Sequence, residues 1–215
     1  MPSQAMEPRI DRRRARTRAA LLQAGETLFS AHSVDAVSID DIVLAADVAK
    51  GSFYNHFADK EALARAIAGA VRAEAEAEID AANAGVVDPA RRMARAQAVF
   101  IRFAVRNPER ARAMVRLFAS ATLPNAPMNR GVRADVAAGL ASGDFRGLTV
   151  ESGVLMAMGV ATVAVSRLLD EVEAAPAAAL CRDLIFGLLR GLGLPEPAAR
   201  VLGDEAVDDI FRETH

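Results

Sequence analysis

The segment KGSFYNHFADKEAL, residues 50–63, contains both lysines of the chain, its single tyrosine and one of its three histidines. If residues 49–57 form a helix, Phe53 and Phe57 lie four residues apart and share one face. The opposite face then presents only small or hydrogen-bonding side chains and no acid: Gly51, Ser52, Tyr54, Asn55 and His56. Such a face is unusual for a solvated helix and predicts close contact with an anion.

These side chains suit the groups that double-stranded DNA presents. Lys50 can pair with a phosphate or donate to guanine, and Asn55 can bond adenine in a bidentate way. Tyr54 and His56 can reach phosphates or thymine methyl groups. Gly51 removes a side chain where the helix must approach its partner closely. The segment is therefore predicted to be a DNA-reading helix.

The preceding residues supply the second half of a helix-turn-helix. Ser38 is followed three residues later by Asp41, a spacing close to the capping box that starts a helix. This short helix should end near Asp47, so a tight turn joins it to the reading helix. The Ser38 hydroxyl could bind a phosphate, and Lys60, at the start of the next helix, could clamp another.

An arginine-rich run lies near the N-terminus and includes Arg12, Arg13 and Arg14. The net charge of the chain is −2, so total charge alone predicts no nucleic-acid partner. Taken alone, such a run is equally typical of a solvated or disordered tail. Beside a helix-turn-helix, we expect it to act as a basic arm that follows the DNA backbone or enters the minor groove.

The composition and periodicity predict an all-α fold. Alanine and leucine are abundant, and no alternating pattern bounded by turn signals indicates a strand. About nine helices are expected, with at most a short further piece after Pro197. Their approximate ranges are 12–32, 38–47, 49–57, 59–79, 89–105, 108–122, 128–142, 149–173 and 176–192.

Cysteine, histidine and hydropathy patterns exclude several classes of protein. Cys181 is the single cysteine, so an internal disulfide is impossible, and a buried thiol in a reducing cytoplasm is expected. No apolar run is expected to reach membrane-spanning length, and no signal peptide is recognisable. No zinc spacing, phosphate-binding glycine loop or nucleophile elbow is present, so neither a metal nor a cofactor nor an enzyme is predicted.

Residues 28–63 resemble the DNA-binding domain of TetR-family (tetracycline-repressor-like) transcriptional regulators. The family pattern has a Phe near the end of helix one, here Phe29, and a Ser followed by an aliphatic residue at the start of helix two, here Ser38 and Ile39. Its reading helix ends in Tyr-x-x-Phe, here Tyr54 and Phe57, and a Lys and a Leu follow, here Lys60 and Leu63. Ser33 and Asp47 depart from it where the family usually has Gly, and Ala49 where it usually has a capping Ser. Asp47 is expected either to adopt the left-handed turn conformation or to cap the third helix.

The resemblance implies a homodimer with an N-terminal helix-turn-helix domain, residues 1–58, and an effector-binding and dimerisation domain, residues 59–215. The implied function is repression at an inverted-repeat operator, with release by a small molecule relayed through the fourth helix. A transcriptional activator of the same fold and a helical adaptor with a protein partner remain alternatives. The candidate DNA-binding residues are Arg12, Arg13, Arg14, Ser38, Lys50, Gly51, Ser52, Tyr54, Asn55, His56 and Lys60.

The larger domain yields weaker expectations. Its large apolar side chains predict a pocket lined by Phe100, Phe103, Met114, Phe118, Met128 and Met156. Polar candidates for orienting a ligand are few, which favours a mainly apolar ligand: Arg102, Arg106, Ser120 and Asn125. The last two long helices are apolar on more than one side, either from deep burial within one subunit or from a dimer interface. The dimer interpretation is preferred, with contacts from Leu155, Val163, Leu184 and Leu188.

Overall fold

The structure, a computed structural model, describes residues 9–116, 130–170 and 174–212. All regular structure in these residues is helical, which confirms the predicted all-α fold. Two compact units divide the chain, Met1–Ala70 and Val71–His215. The α-helices are α1 (Arg9–Ala31), α2 (Ile39–Ala45), α3 (Lys50–Tyr54), α4 (Lys60–Ala82), α5 (Pro89–Arg106), α6 (Pro108–Arg116), α7 (Arg130–Ser142), α8 (Val150–Asp170), α9 (Ala174–Gly191) and α10 (Glu196–Arg212).

The first unit packs α1, α2, α3 and the start of α4 around one apolar core. A single 3-10 turn, Val34–Ala36, joins α1 to α2. The fully buried side chains come from every helix of the unit, so each amphipathic face turns inward. They are Leu21, Phe29, Ile42, Phe53, Leu63 and Ile67.

The capping box predicted at the start of α2 is present. The Ser38 hydroxyl oxygen accepts from the backbone N–H of Asp41 at 3.1 Å, and the Asp41 carboxylate accepts from the backbone N–H of Ser38 at 3.0 Å. Two N–H groups that lack helical partners are thereby satisfied. After α2, Asp47 adopts a left-handed conformation with φ 52°, while Ser33 is extended. Ala49 is the N-cap of α3 without a side-chain bond, so Asp47 serves the turn and does not cap α3.

The capping box predicts an acid-dependent loss of stability in the first unit. Hydrogen bonds from the Ser38 side chain and backbone hold the pKa of Asp41 below its usual value of 3.8. The stabilisation is therefore fully present above the unfolded pKa and is lost as the pH falls through the lower folded pKa. Denaturant titrations of wild type and Asp41→Asn should show a stability difference at pH 6 that shrinks towards pH 2. A difference independent of pH would contradict this account.

The third helix is shorter than predicted. It spans five residues, Lys50–Tyr54, although the backbone N–H of Phe57 still donates to the Phe53 carbonyl at 2.9 Å. Ala49 gives α3 no side-chain cap, and Asp59 already caps the start of α4. Between Tyr54 and Asp59 there is room for only one further helical turn. The Asp59 carboxylate accepts from the backbone N–H of Ala62 at 2.6 Å. Phe53 and Phe57 nevertheless remain on one face, as the four-residue spacing requires.

The second unit is built around α5, which packs against α7, α8, α9 and α10. Its core is continuous across these helices, and the largest fully buried side chains are Met93, Ile101, Phe103, Phe145, Ile185 and Leu189. The last helix, α10, has 17 residues and extends far beyond the short piece expected after Pro197. Proline is favourable in the first turn of a helix, and Pro197 is the second residue of α10. Gly203 is buried where α10 packs on α9, and an added Cβ there would lie 3.6 Å from the Arg182 carbonyl oxygen, an ordinary contact distance.

One helix of the second unit is long and apolar enough to cross a membrane. Residues Val150–Leu169 of α8 meet that criterion, so the expectation that no run reaches spanning length is wrong. Small polar residues such as Ser152 and Thr162 interrupt the run, so it was not recognised in the sequence, although the segment as a whole is apolar. In the protein 44% of this window is buried, and α8 packs against α5, α6, α7 and α9. Core helices of water-soluble proteins meet the same criterion, so the helix is weak evidence for a membrane span.

The cysteine thiol is expected to be inert in the native protein. Cys181 is fully buried in α9, and burial raises the pKa of its thiol to about 12. Thiolate is the reactive species, and less than ~1% of such a thiol is ionised at pH 8. A disulfide reagent such as 5,5′-dithiobis(2-nitrobenzoate) should therefore titrate no thiol in buffer and one in denaturant. Rapid labelling of the native protein would contradict the burial.

Candidate nucleic-acid interface and ligand cavity

The segment around α3 places its aromatic pair and its polar face on opposite sides. Phe53 and Phe57 are buried in the core of the first unit. Tyr54 is 54% exposed and touches Phe53 edge-on, with 5.5 Å between ring centroids. Gly51 and Asn55 are exposed, and Ser52 and His56 are half-buried. The structure therefore brings five predicted DNA-binding residues together on one surface without an acid among them.

A shallow groove lies beside this surface, between α1 and the end of α3. Its lining residues are Arg13, Arg14, Thr17, Ser52, Asn55 and His56. Partial burial, together with the positive charges of Arg14 and Arg18, keeps the pKa of His56 below its usual 6.5. The imidazole is therefore mainly neutral at pH 7 and can both donate and accept a hydrogen bond. A groove with two cations, several donors and no carboxylate suits a phosphate.

The arginine run belongs to a helix and not to an extended arm. Arg12, Arg13 and Arg14 are exposed residues of α1, which begins at Arg9. Arg18, one turn further along, lies over the Phe57 ring, with its guanidinium carbon 5.3 Å from the ring centroid. Residues 1–8 lie outside the described part of the chain. The predicted contacts of these arginines with DNA would therefore be made from a helical surface.

Lys50 is paired with an acid of the neighbouring helix. Its Nζ lies 2.8 Å and 3.0 Å from the two carboxylate oxygens of Asp40 in α2. The hydrogen bond and the negative charge raise the pKa of Lys50, so the side chain stays a cation. Both side chains are exposed. Asp40 therefore directs Lys50 but also places one negative charge on the predicted DNA side.

The two remaining predicted contacts already have intramolecular partners. The Lys60 ammonium donates to the carbonyl oxygens of Val37 at 3.1 Å and of Asp35 at 3.3 Å. It thus fixes the turn before α2 to the start of α4. The Ser38 hydroxyl donates to Asp41 at 2.6 Å within the capping box. Contacts of Ser38 and Lys60 with DNA remain predictions, and either would add to an existing structural role.

Gly51 offers a test in which stability and binding change in opposite directions. Apart from its chain neighbours and the backbone of its own helix, nothing lies within 4 Å of a Cβ added at Gly51, so packing of the unit does not require a glycine. Alanine is favoured over glycine in a helix by about 0.5–1 kcal/mol. Gly51→Ala should therefore stabilise the protein by roughly that amount in urea titrations, while a methyl group facing DNA lowers operator affinity severalfold. Equal affinity of the two proteins would contradict close approach of DNA at Gly51.

The second unit contains a cavity of about 470 Å³ between four helices. Helix α4 contributes Arg72, Glu76, Ile79 and Asp80, and α5 contributes Arg92, Met93, Ala96, Gln97 and Phe100. The rest of the wall comes from α7 and α8: Arg130, Gly131, Val132, Ala134, Asp135, Ala157, Met158 and Ala161. The volume lies in the usual range of small-molecule sites, and the wall is largely apolar.

The predicted pocket residues overlap this cavity at one position. Phe100 lines it, whereas Phe103 and Met114 are buried in the core and lie outside its wall. Met156 is partly exposed on α8. Phe118 and Met128 fall outside the described residues, as do Ser120 and Asn125.

Sequence reasoning missed the polar part of the cavity wall. Gln97 was overlooked, although it follows Met93 by four residues and precedes Phe100 by three on one face of α5. Such a polar residue within an apolar helical stripe was the available signal. Arg102 instead donates to the Ile210 carbonyl at 3.0 Å and does not line the cavity.

The residues predicted for a dimer interface divide between surface and core. Leu155 and Val163 on α8 are 49% and 69% exposed, and Leu184 on α9 is half-buried. Leu188 is only 2% exposed and packs inside its own subunit. Gly159 and Gly187 are exposed, with no protein atom within 4 Å of an added Cβ. The exposed residues leave an apolar, small-residue face on α8 and α9.

Helices α2 and α3, joined by a tight turn at Asp47, form a helix-turn-helix. The family model of bacterial regulatory proteins of the tetR family matches residues 21–67, which include α2, α3 and most of this surface. This match confirms the resemblance to the DNA-binding domain of TetR-family regulators seen over residues 28–63. Members of this family regulate transcription and are not enzymes. No curated protein sequence matches the chain significantly.

Solved structures of this family share the fold over most of the chain. A tetR-family transcription regulator from Shewanella sp. PV-4 is 18% identical, with TM-score 0.70 over 83% of this chain and 99% of that chain. TylP, a tetR regulator from Streptomyces fradiae, is 20% identical, with TM-score 0.65 over 94% and 98%. RolR in complex with resorcinol is 22% identical, with TM-score 0.61 over 90% and 95%. At these identities the likeness shows the fold alone.

Proposed function

We propose that this protein is a transcriptional repressor that binds an inverted-repeat operator and is released from it by a small, mainly apolar effector. The observation that carries the proposal is the acid-free surface of α3, next to the groove that holds Arg13 and Arg14. In a helix-turn-helix protein this surface lies in the major groove, while helix ends and arginines contact phosphates. Tyr54 and Asn55 are the exposed side chains best placed to contact base edges.

A homodimer is the second part of the proposal. One short reading helix contacts few base pairs, so specific affinity requires two copies held about one DNA turn apart, roughly 34 Å. The exposed apolar face of α8 and α9 supplies a self-complementary surface, in which Leu155 and Val163 would be covered by the partner. Exposed Gly159 and Gly187 would let the helices of two subunits approach closely.

The effector site is assigned to the cavity of the second unit. RolR, a protein of the same fold, has been crystallised with resorcinol, a molecule of a size that such a cavity accommodates. Helix α4 starts at Lys60, directly after the DNA-reading segment, and its residues Arg72 and Glu76 line the cavity. An effector that binds one position of α4 more tightly than another would shift the dimer between DNA-binding and released states.

Each of the two predicted domains is assigned its own function. We assign DNA binding to residues 1–58 and effector binding with dimerisation to residues 59–215, in the cytoplasm.

A promoter fused to a reporter gene tests the sign of regulation, since deletion of the repressor should raise expression. A fall in expression after deletion would support the activator alternative, in which the same surface binds DNA. Retention of a bound genomic fragment by gel shift, with loss of the shift as salt rises, tests DNA binding itself.

A further inference from the structure

We propose that the cavity of the second unit selects an uncharged ligand that donates a hydrogen bond to the side-chain oxygen of Gln97. The inference rests on the proposed function, because it assigns a chemical class to the effector of that site. It combines three features of the wall: one buried amide with an unmatched acceptor, a balance of positive and negative charges, and an apolar body. Each feature excludes a different kind of ligand.

Gln97 is the decisive residue. This residue is only 6% exposed and lines the cavity, and its Nε2 donates to the Ala157 carbonyl at 3.1 Å. This bond fixes the orientation of the amide, because the flipped amide would place two acceptor oxygens together. Among the described residues no group donates to Oε1. Buried acceptors are normally paired, so a donor from a molecule in the cavity would complete this one.

The charges of the wall favour a neutral molecule. Three arginines and three carboxylates line the cavity, so their formal charges cancel. The more buried charged side chains already form ion pairs: Arg72 Nε lies 3.0 Å from Glu76, and Arg92 Nε lies 2.6 Å from Asp135. An anionic ligand at Arg72 or Arg92 would have to displace one of these carboxylates, and a cationic ligand at Glu76 or Asp135 would have to displace one of these arginines. Separating such a partly buried pair is unfavourable.

The rest of the wall requires an apolar, compact ligand body. Ile79, Met93, Phe100, Val132 and Met158 surround the space from all four helices. The Met158 sulfur also lies 3.7 Å from Nη2 of Arg72, so it links the apolar wall to the ion pair. Methionine and phenylalanine side chains accommodate aromatic rings well. A hydroxylated aromatic or alicyclic molecule satisfies all three features.

The test compares hydroxyl compounds with their methyl ethers on the unmodified protein. Phenol, catechol, resorcinol, cyclohexanol and borneol form the donor set, and their fully O-methylated ethers have a similar shape but cannot donate. Saturation-transfer NMR and thermal shift should detect members of the donor set, with affinities at least tenfold higher than those of the matched ethers. Resorcinol carrying a carboxylate, 3,5-dihydroxybenzoate, should bind at least tenfold more weakly than resorcinol.

A variant of Gln97 tests whether the preference for hydroxyl compounds over ethers depends on its Oε1 atom. Gln97→Met keeps the size of the side chain and removes Oε1, so it should reduce the hydroxyl-to-ether ratio to about one. Gln23→Met, on the exposed side of α1, is the control and should leave the ratio unchanged. The comparison on wild-type protein needs no variant, so it stands even if Gln97→Met folds poorly.

Four results would overturn the inference: ethers binding as well as hydroxyl compounds, a preference that survives in Gln97→Met, strongest binding by the carboxylate, or no member of either set binding. Operator binding, measured in parallel by gel shift, separates this inference from the proposed function. If hydroxyl compounds bind but never release the operator, the effector role fails while the recognition chemistry stands. If the operator is bound and none of the compounds binds, the recognition chemistry fails while DNA binding stands.

Discussion

Replacement of Lys50 and Tyr54 by alanine is expected to abolish specific operator binding and to leave the fold intact. Both side chains are exposed, and the core beneath them is formed by Phe53 and Phe57. Losing two contacts in each of two protomers should weaken binding by at least ~1,000-fold, since each specific contact contributes about 1–3 kcal/mol. Fluorescence anisotropy with a labelled operator measures the loss, and circular dichroism with thermal unfolding verifies the fold.

A matched variant on the same surface should act in the opposite direction. Asp40→Asn removes the carboxylate that holds Lys50 and the negative charge beside the DNA. Affinity for both operator and unrelated DNA should therefore rise, with a larger relative gain for unrelated DNA, because phosphate attraction carries no sequence information.

Operator binding by the double alanine variant at wild-type strength, with its fold preserved, would show that another surface reads the DNA.

Replacement of Val163 by glutamate is expected to produce a monomer that no longer binds the operator tightly. Val163 is the most exposed apolar residue of α8, at 69%, and lies on the face assigned to the partner subunit. A twofold interface would bury two such carboxylates in apolar surroundings, which is strongly unfavourable. The dimer dissociation constant should rise at least ~100-fold in sedimentation equilibrium, and operator affinity should fall with it.

Two other exposed valines provide the controls for this variant. Val87 lies in the loop before α5 and is 88% exposed, and Val201 lies on α10 and is 53% exposed. Val87→Glu and Val201→Glu add the same charge outside the α8 and α9 face, so both proteins should remain dimeric. A dimeric Val163→Glu protein would place the interface elsewhere, as would a monomeric Val201→Glu protein.

Local signals allowed much of the DNA-binding unit to be predicted from sequence. The Ser38–Asp41 capping box depends on residues three positions apart, so its geometry follows from the sequence alone. The inward position of Phe53 and Phe57 also follows from helical spacing. The arginine run was harder to interpret, because a solvated tail and the exposed first turns of α1 have the same composition. The structure shows that the helix predicted from residue 12 begins at Arg9 and carries these arginines on its exposed surface.

The second unit was predicted less well because its features depend on contacts distant in sequence. Pro197 and Gly203 weaken a helical pattern locally, but proline fits the first turn of α10 and Gly203 is buried against α9. Periodicity indicates which face of α5 is buried, yet it cannot distinguish a filled core from a cavity. For the same reason buried Leu188 and half-buried Leu184 are indistinguishable in a helix that is apolar on several sides.

Selection of bound sequences from a random DNA pool tests the central claim, that the exposed side of α3 reads the major groove of an operator. The wild-type protein should enrich an inverted repeat whose half-sites lie about one helical turn apart, roughly 10 base pairs centre to centre. The variant lacking the Lys50 and Tyr54 side chains should enrich no such repeat from the same pool. Recovery of the same repeat by both proteins, or of no repeat by wild type, would contradict the claim.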